Sequence, residues 1–288
     1  MRWLQRYLFI TGMLLTASAG AACVVTDDAG QRISLSQPAR RIIVLAPDLV
    51  ENIFAIDAGR YVIGVIGGSD YPLAARRIAK VGSYGGIDLE RIVTLQPDLI
   101  VTWKYAFPRQ LAALKQFGIP VYVSAPKKLE DVPRLMRQLG CLTAQEKSAA
   151  TAASKFEDDI KMLRSQFAGQ KAVKVFFQID RNALLTVNRD SWIHQVLELC
   201  GGRNIFAAAK TLTPEVSREA IITENPDVIM NDASNHHWQQ SWQVWPEMKA
   251  VKQHHLYTVN PDWIARAGPR LVSGARQVCD YLKAARTA

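Results

Sequence analysis

Residues 90–100 read E-R-I-V-T-L-Q-P-D-L-I, and residues 219–229 read E-A-I-I-T-E-N-P-D-V-I, 129 residues further on. Each copy is preceded, two residues before its Glu, by a helix-capping residue: Asp88 in the first and Ser217 in the second. The local physics is the same in both. A short helix starts at the cap, carries Glu in its first turn, ends at a Pro-Asp turn and leads into a buried strand. A repeat of this kind implies two similar α/β lobes, each presenting one Glu, Glu90 or Glu219, at the same place.

The 288-residue length suits two lobes, and 49% hydrophobic with 21% charged residues is ordinary for a globular chain. The net charge is +9, but the basic residues are scattered, which speaks for a solvated surface and against a nucleic-acid partner. Arg2 and Arg6, a short apolar run through Leu15 and an A-G-A site at Ala19–Ala21 read as a secretory signal peptide over residues 1–22, whose removal leaves +7. The apolar run is too short to span a bilayer. The expected location is the periplasm. Cys23 follows the cleavage site, but Gly20 stands where a lipobox wants Leu, so a lipid anchor at Cys23 is the minor reading. Export allows disulfides among Cys23, Cys141, Cys200 and Cys279. Three connectivities exist. Pairing within lobes, Cys200 with Cys279 and Cys23 with Cys141, is the simplest, and Cys23 and Cys141 unpaired is the alternative.

Outward from the repeat, strands and helices alternate at short intervals, the mark of a parallel sheet. A hairpin is expected over Cys23–Leu35 and strands over Arg40–Leu45, Tyr61–Ile66, Leu99–Trp103 and Val121–Ser124. Asp48 should cap a helix through Ala58. Thr143–Phe167 contains no Pro or Gly, and Thr143 with Glu146 reads as a capping box. At 1.5 Å per residue that helix would span about 37 Å, a rod between lobes. The strand rhythm then restarts at Lys174–Ile179, Val228–Asn231 and Leu256–Val259. A single helix is expected over Trp238–Val251, with Trp238, Trp242 and Trp245 on one buried face. The fold class is therefore α/β: two Rossmann-like lobes with parallel sheets, joined by one long helix, with a ligand cleft between them. The expected bounds are 23–142, 143–168 for the connecting helix, and 169–288.

Ligands of parallel α/β sheets bind beyond the carboxyl ends of the strands. Those positions include Ala46-Pro47, Ser69 to Tyr71, Trp103 to Tyr105, Asp180 to Asn182, Asn231-Asp232 and Pro261 to Arg266, with Tyr84 just before the first Glu motif. The mixture of aromatics, amides and charges suits a large flat ligand with a polar rim. Dinucleotide, P-loop, nucleophile-elbow and zincin motifs are absent from the sequence, so the chain does not read as an enzyme. The adjacent pairs His236-His237 and His254-His255 point apart and do not suit a metal; no metal or resident cofactor is expected.

The segments R-I-I-V-L-A-P, S-D-Y-P, G-I-D-L-E-R-I-V, V-S-R-E, L-E-L-C-G-G-R-N-I-F and D-W-I-A-R-A-G-P-R together resemble the periplasmic cobalamin-binding proteins of ABC importers, from about Arg40 to the C-terminus. The resemblance implies capture of cobalamin or a related corrinoid by a monomer and delivery to a membrane permease, with Glu90 and Glu219 docking on permease arginines. It implies a disulfide between Cys200 and Cys279, and a ligand segment Asp262, Trp263, Ile264, Ala265 and Arg266, with Pro47, Tyr84 and Trp103 at further cleft positions; Tyr71 joins the expected ligand set from its place at a strand end. Gly68 stands where the family carries an aromatic, Tyr84 where it carries Trp, and Thr213 where it carries Trp. The same fold holding haem, with Tyr71, Tyr84 or Tyr105 as axial ligand, or a ferric siderophore is the alternative. A secreted α/β enzyme using Asp262 or the His pairs is the third reading.

Overall fold

A computed structural model describes residues 23–180, 183–232 and 237–287. The leader expected over residues 1–22 lies outside them, as do Arg181, Asn182 and His236. The chain opens with the antiparallel hairpin β1 (Cys23–Thr26) and β2 (Arg32–Leu35). Buried Asp27 closes its turn by accepting the N–H groups of Ala29 and Gln31, and also accepts that of Val123. The first lobe continues with β3 (Ile42–Val44), α1 (Pro47–Ala55), β4 (Val62–Val65), a 3-10 turn at Leu73–Arg77, and the two-residue strands β5 (Gly82–Ser83) and β6 (Gly86–Ile87). Then follow α2 (Leu89–Thr94), β7 (Leu99–Trp103), α3 (Pro108–Gln116), β8 (Val121–Ser124) and α4 (Asp131–Thr143). Helix α5 (Glu146–Phe167) leads into the second lobe. That lobe comprises β9 (Val173–Gln178), α6 (Trp192–Leu199), β10 (Gly202–Asn204), α7 (Arg218–Glu224), β11 (Val228–Asn231), α8 (Gln240–Gln243), α9 (Lys249–Lys252), β12 (Leu256–Thr258), α10 (Pro261–Ile264) and α11 (Leu271–Thr287).

The two four-stranded sheets are all parallel and have matching orders, β4-β3-β7-β8 and β10-β9-β11-β12: second, first, third, fourth strand in each. The repeated motif makes this equivalence physical. Asp98 accepts the N–H groups of Arg40 and Arg41 at the start of β3, and its own N–H reaches the Arg41 carbonyl. Asp227 accepts the N–H of Lys174 at the start of β9 and donates back to its carbonyl. Each Pro-Asp therefore ties the third strand of a lobe to the first.

Strand alternation sorts the core into layers. Ile42, Val44, Leu99, Val101, Val175, Phe177, Val228 and Met230 face one continuous core that runs through α4, α5, α6 and α11. Ile43, Leu45 and Ile100 face a second cluster under α2 and α3, and Phe176, Ile229, Trp238 and Trp242 a third. Helix α5 buries Ala149, Ala153, Phe156, Ile160, Leu163 and Phe167, spaced alternately by four and three residues along one face. The lobes are thus joined through a shared core, as well as by chain connectivity.

Several expectations are corrected. The connecting helix starts at Glu146, which makes it about 33 Å long. Thr143 is the last residue of α4; its hydroxyl donates to the Leu139 carbonyl at 2.7 Å, so there is no capping box. Ala144 turns left-handed between the helices (φ 50°), and α4 folds back on α5 as a tight pair. Gly140 permits the approach: a Cβ there would come within 2.3 Å of the Ala149 methyl. Asp48 lies inside the first turn of α1, where Pro47 at the first helical position takes the place of a side-chain cap. The helix stops at Ala55, and Asp57 is left-handed. The single helix expected over 238–251 is two short ones separated by Pro246. In consequence Trp242 is fully buried while Trp245 is 40% exposed. Strands β5, β6 and β10 had no alternating pattern to announce them.

Both disulfides exist: Cys23–Cys141 joins β1 to α4, and Cys200–Cys279 joins α6 to α11. With partners 118 and 79 positions apart in sequence, chain-entropy reasoning assigns each roughly 4–5 kcal/mol as an upper figure.

Candidate ligand cleft

The strand order of each sheet reverses between its first and third strands, and the crevice of a parallel sheet opens there, at the carboxyl ends. In the first lobe those ends deliver Pro47, the first residue of α1, and Trp103, the last of β7. In the second they deliver Gln178 to Asp180 and Asn231-Asp232, and the turn after β12 delivers α10.

One network spans the lobes at this place. Glu51, on α1 of the first lobe, is 1% exposed. Its carboxylate accepts from Arg266 Nη1 at 2.9 Å, Arg270 Nε at 2.9 Å and Arg270 Nη2 at 2.6 Å, both arginines belonging to the second lobe. Arg266 also pairs with Asp70 at 3.2 Å and, from Nη2, with Asp262 at 2.8 Å. The Arg270 guanidinium lies over the Tyr71 ring, 4.0 Å from its centroid. Beside it, Asn52 Nδ2 donates to the Ala267 carbonyl at 3.0 Å, a second tie between lobes. Charge-assisted, multidentate pairing of this kind fixes geometry because every guanidinium direction is specified. Both guanidinium groups are held above the ordinary arginine range, although burial opposes this, by their bonds to Glu51. Asp70 is held below the usual carboxylate range by Arg266, against burial. Burial, reinforced by nearby Glu51, pushes Asp48 up to about 6.

Tyr84, carried on the β5–β6 turn, is exposed. Gly68 takes φ +83°, a left-handed conformation that suits glycine, and a Cβ there would lie 3.5 Å from the Tyr84 ring and 3.9 Å from Pro47. Tyr84 stands next to the position where Gly68 has no side chain. Trp103 and Tyr105 are exposed and meet edge to face, 5.6 Å between centroids.

The structure thus brings Pro47, Tyr71, Tyr84, Asp262 and Arg266 together. Trp103 contacts Tyr105, Trp263 is half-buried, and Ala265 is exposed. Ile264 departs from the expected ligand set: its side chain is fully buried in the core, and its carbonyl accepts the Trp192 indole N–H at 2.9 Å, anchoring α10. Asp232, at the end of β11, is pushed up to about 6 by burial, with Asp180 adding to the rise.

Glu90 and Glu219 are both exposed in the first turns of α2 and α7, whose caps Asp88 and Ser217 accept the N–H groups of Arg91 and Ala220. Each helix runs back against the parallel strand that follows it, so its N-terminus lies toward the carboxyl edge where the cleft opens. The Glu219 backbone N–H and the Ser217 hydroxyl hold the Glu219 carboxyl below its usual range.

Sequence reasoning missed Glu51, Asn52 and Arg270. The signal was present: Asp48, Glu51 and Asn52 fall at i, i+3 and i+4 on an otherwise apolar helix, and Arg266 and Arg270 lie four apart. What the sequence lacked was any indication that the two groups meet across more than 200 residues.

Residues 42–263 match the family model described as periplasmic binding protein. The vitamin B12-binding protein of Vibrio parahaemolyticus is 34% identical over 250 residues, covering 86% of this chain and 91% of that protein. The one from Pectobacterium carotovorum is 37% identical over 248 residues, covering 85% and 89%. Among solved structures, the periplasmic vitamin B12 binding protein BtuF of Vibrio cholerae superposes with a TM-score of 0.79 at 34% identity, over 87% of this chain and 99% of that one. The periplasmic heme-binding protein RhuT of Roseiflexus sp. RS-1 shares the fold, at TM-score 0.75 and 21% identity over 86% and 99%. With its two matched parallel sheets on either side of α5, the chain belongs to the periplasmic binding protein family.

Proposed function

We propose that this chain captures cobalamin or a related corrinoid in the cleft between its lobes and delivers it to the permease of an ABC importer. The observation that carries the reading is the 34–37% identity to vitamin B12-binding proteins over most of the chain. The cleft supports it. Exposed aromatic faces at Tyr84, Trp103 and Tyr105 offer stacking area for a large flat ring system, and Asp262 offers a polar rim partner. No covalent chemistry is required of any residue. The shared core through α5 favours small lobe motions, so release depends on the permease. Exposed carboxylates at Glu90 and Glu219, one per lobe, suit bidentate pairing with permease arginines. We further infer export by a leader over residues 1–22 to the periplasm. The Cys23 sulfur is engaged by Cys141, which favours a released protein over a lipid-anchored one.

The test is calorimetric titration of the chain from Cys23 onward with cyanocobalamin and, separately, haemin. Saturable one-to-one binding of cyanocobalamin is expected. Binding of haemin without cyanocobalamin would overturn the proposal in favour of haem coordinated by a cleft tyrosine.

A further inference from the structure

The way the cleft charges face solvent carries a conclusion about which ligand rims it accepts. The two guanidinium groups are shielded: the Arg266 and Arg270 side chains are 17% and 18% exposed. The carboxylates that flank them are open, with Asp70 46% and Asp262 43% exposed. Arg266 is bonded to three carboxylates, those of Glu51, Asp70 and Asp262. Arg270 is bonded to both oxygens of Glu51, and one of its faces is covered by Tyr71. Lys80, close to Asp70, directs its ammonium to the carbonyls of Ser69 and Ala75. An incoming ligand therefore meets carboxylate oxygens at the surface of this network, with the positive charge behind them already paired.

Resting on the corrinoid reading, we propose that the cleft selects a ligand whose rim carries amides and rejects one whose rim carries free carboxylates, and that Asp70 and Asp262 impose this choice. A primary amide donates N–H groups, which exposed carboxylates accept. A rim carboxylate brings only acceptors and a second negative charge. To reach a guanidinium it must displace Asp70 or Asp262, leaving that group unpaired beside Glu51. Like-charge contact in a partly desolvated cleft is a device of specificity: it discriminates against the wrong partner without improving the right one. The same property separates amide-rimmed corrins from propionate-bearing macrocycles of similar size.

The experiment titrates the chain from Cys23 onward with cyanocobalamin, with its monocarboxylic acids made by hydrolysing one rim amide, and with cobyrinic acid beside its heptaamide, a pair without the nucleotide loop that differs only in acid against amide at the rim. At least one monoacid should bind about 100-fold more weakly than cyanocobalamin, and the polyacid at least about 100-fold more weakly than its heptaamide, the ratio expected for one poorly solvated like-charge contact. Asp70→Asn and Asp262→Asn, measured separately as acid-to-amide affinity ratios, should each narrow the discrimination about tenfold. Polyacid and monoacids that all bind as tightly as their amide counterparts would overturn this inference while leaving the corrinoid reading intact. Discrimination unchanged in both variants would overturn the roles of Asp70 and Asp262. Failure of cyanocobalamin itself to bind would overturn both readings. The wild-type ligand series stands alone if a variant does not fold.

Discussion

Removing Glu51 tests whether the inter-lobe network holds the molecule together. Glu51→Ala deletes three hydrogen bonds of 2.9, 2.9 and 2.6 Å and leaves two shielded guanidinium groups facing each other across the vacancy. Arg266 retains Asp70 and Asp262, whereas Arg270 has no other carboxylate among its bonds in the described residues. Breaking a buried pair by removing one partner costs about 3–5 kcal/mol, most of it from the charge left behind. At roughly 2–4 °C per kcal/mol for a chain of this size, the melting temperature should fall by about 6–20 °C. The assay is urea and thermal unfolding followed by circular dichroism, in a double-mutant cycle with Arg270→Ala. The double variant should lose less than the sum of the singles, because the second truncation removes the uncompensated charge. A loss below about 1 kcal/mol for Glu51→Ala, or an additive cycle, would refute the reasoning. The network would then be a solvated surface feature of little energetic weight.

Two further outcomes follow from the same geometry. Asp48 has a folded pKa of about 6 against an ordinary 3.8, so the folded state prefers it neutral. Stability associated with Asp48 is then full below about pH 4 and is lost as pH rises through about 6, by up to ~3 kcal/mol. Asp48→Asn should therefore be more stable than wild type at about pH 8, with the gap shrinking toward about pH 4; urea midpoints showing the same gap at both ends would contradict this. For the docking residues, Glu90→Ala combined with Glu219→Ala should leave cyanocobalamin affinity unchanged by calorimetry while abolishing uptake in cells. Uptake at wild-type rate in the double variant would remove the docking role.

The repeated E-x-I-V/I-T-x-x-P-D segment made the architecture legible because its parts act locally. Caps, first-turn glutamates and the Pro-Asp turn are set by neighbours within a few residues, and the structure keeps all of them at α2–β7 and α7–β11. The core strands were legible for a similar reason, since runs such as Ile42–Val44 must be covered on both faces. Where two local rules competed, the sequence misled. Thr143 and Glu146 have the spacing of a capping box, but the close approach at Gly140 and the left-handed Ala144 folded α4 onto α5 and moved the helix start. Likewise the Trp238, Trp242 and Trp245 spacing is helical, but Pro246 ends the helix before Trp245 reaches the buried face.

The sequence alone determined the two-lobed parallel α/β plan, the long connecting helix, the cysteines available for pairing, and the paired positions of Glu90 and Glu219. Each depends on periodicity, capping or turn chemistry, which are short-range. Tertiary structure alone decided that Glu51 on α1 receives Arg266 and Arg270 from the far end of the chain, that Ile264 is core, and that Asp70 and Asp262 are the open members of the network while its arginines are shielded. Those facts depend on which surfaces meet when the lobes close on a common core. No spacing along a single chain encodes the direction in which a buried charge finds its partner.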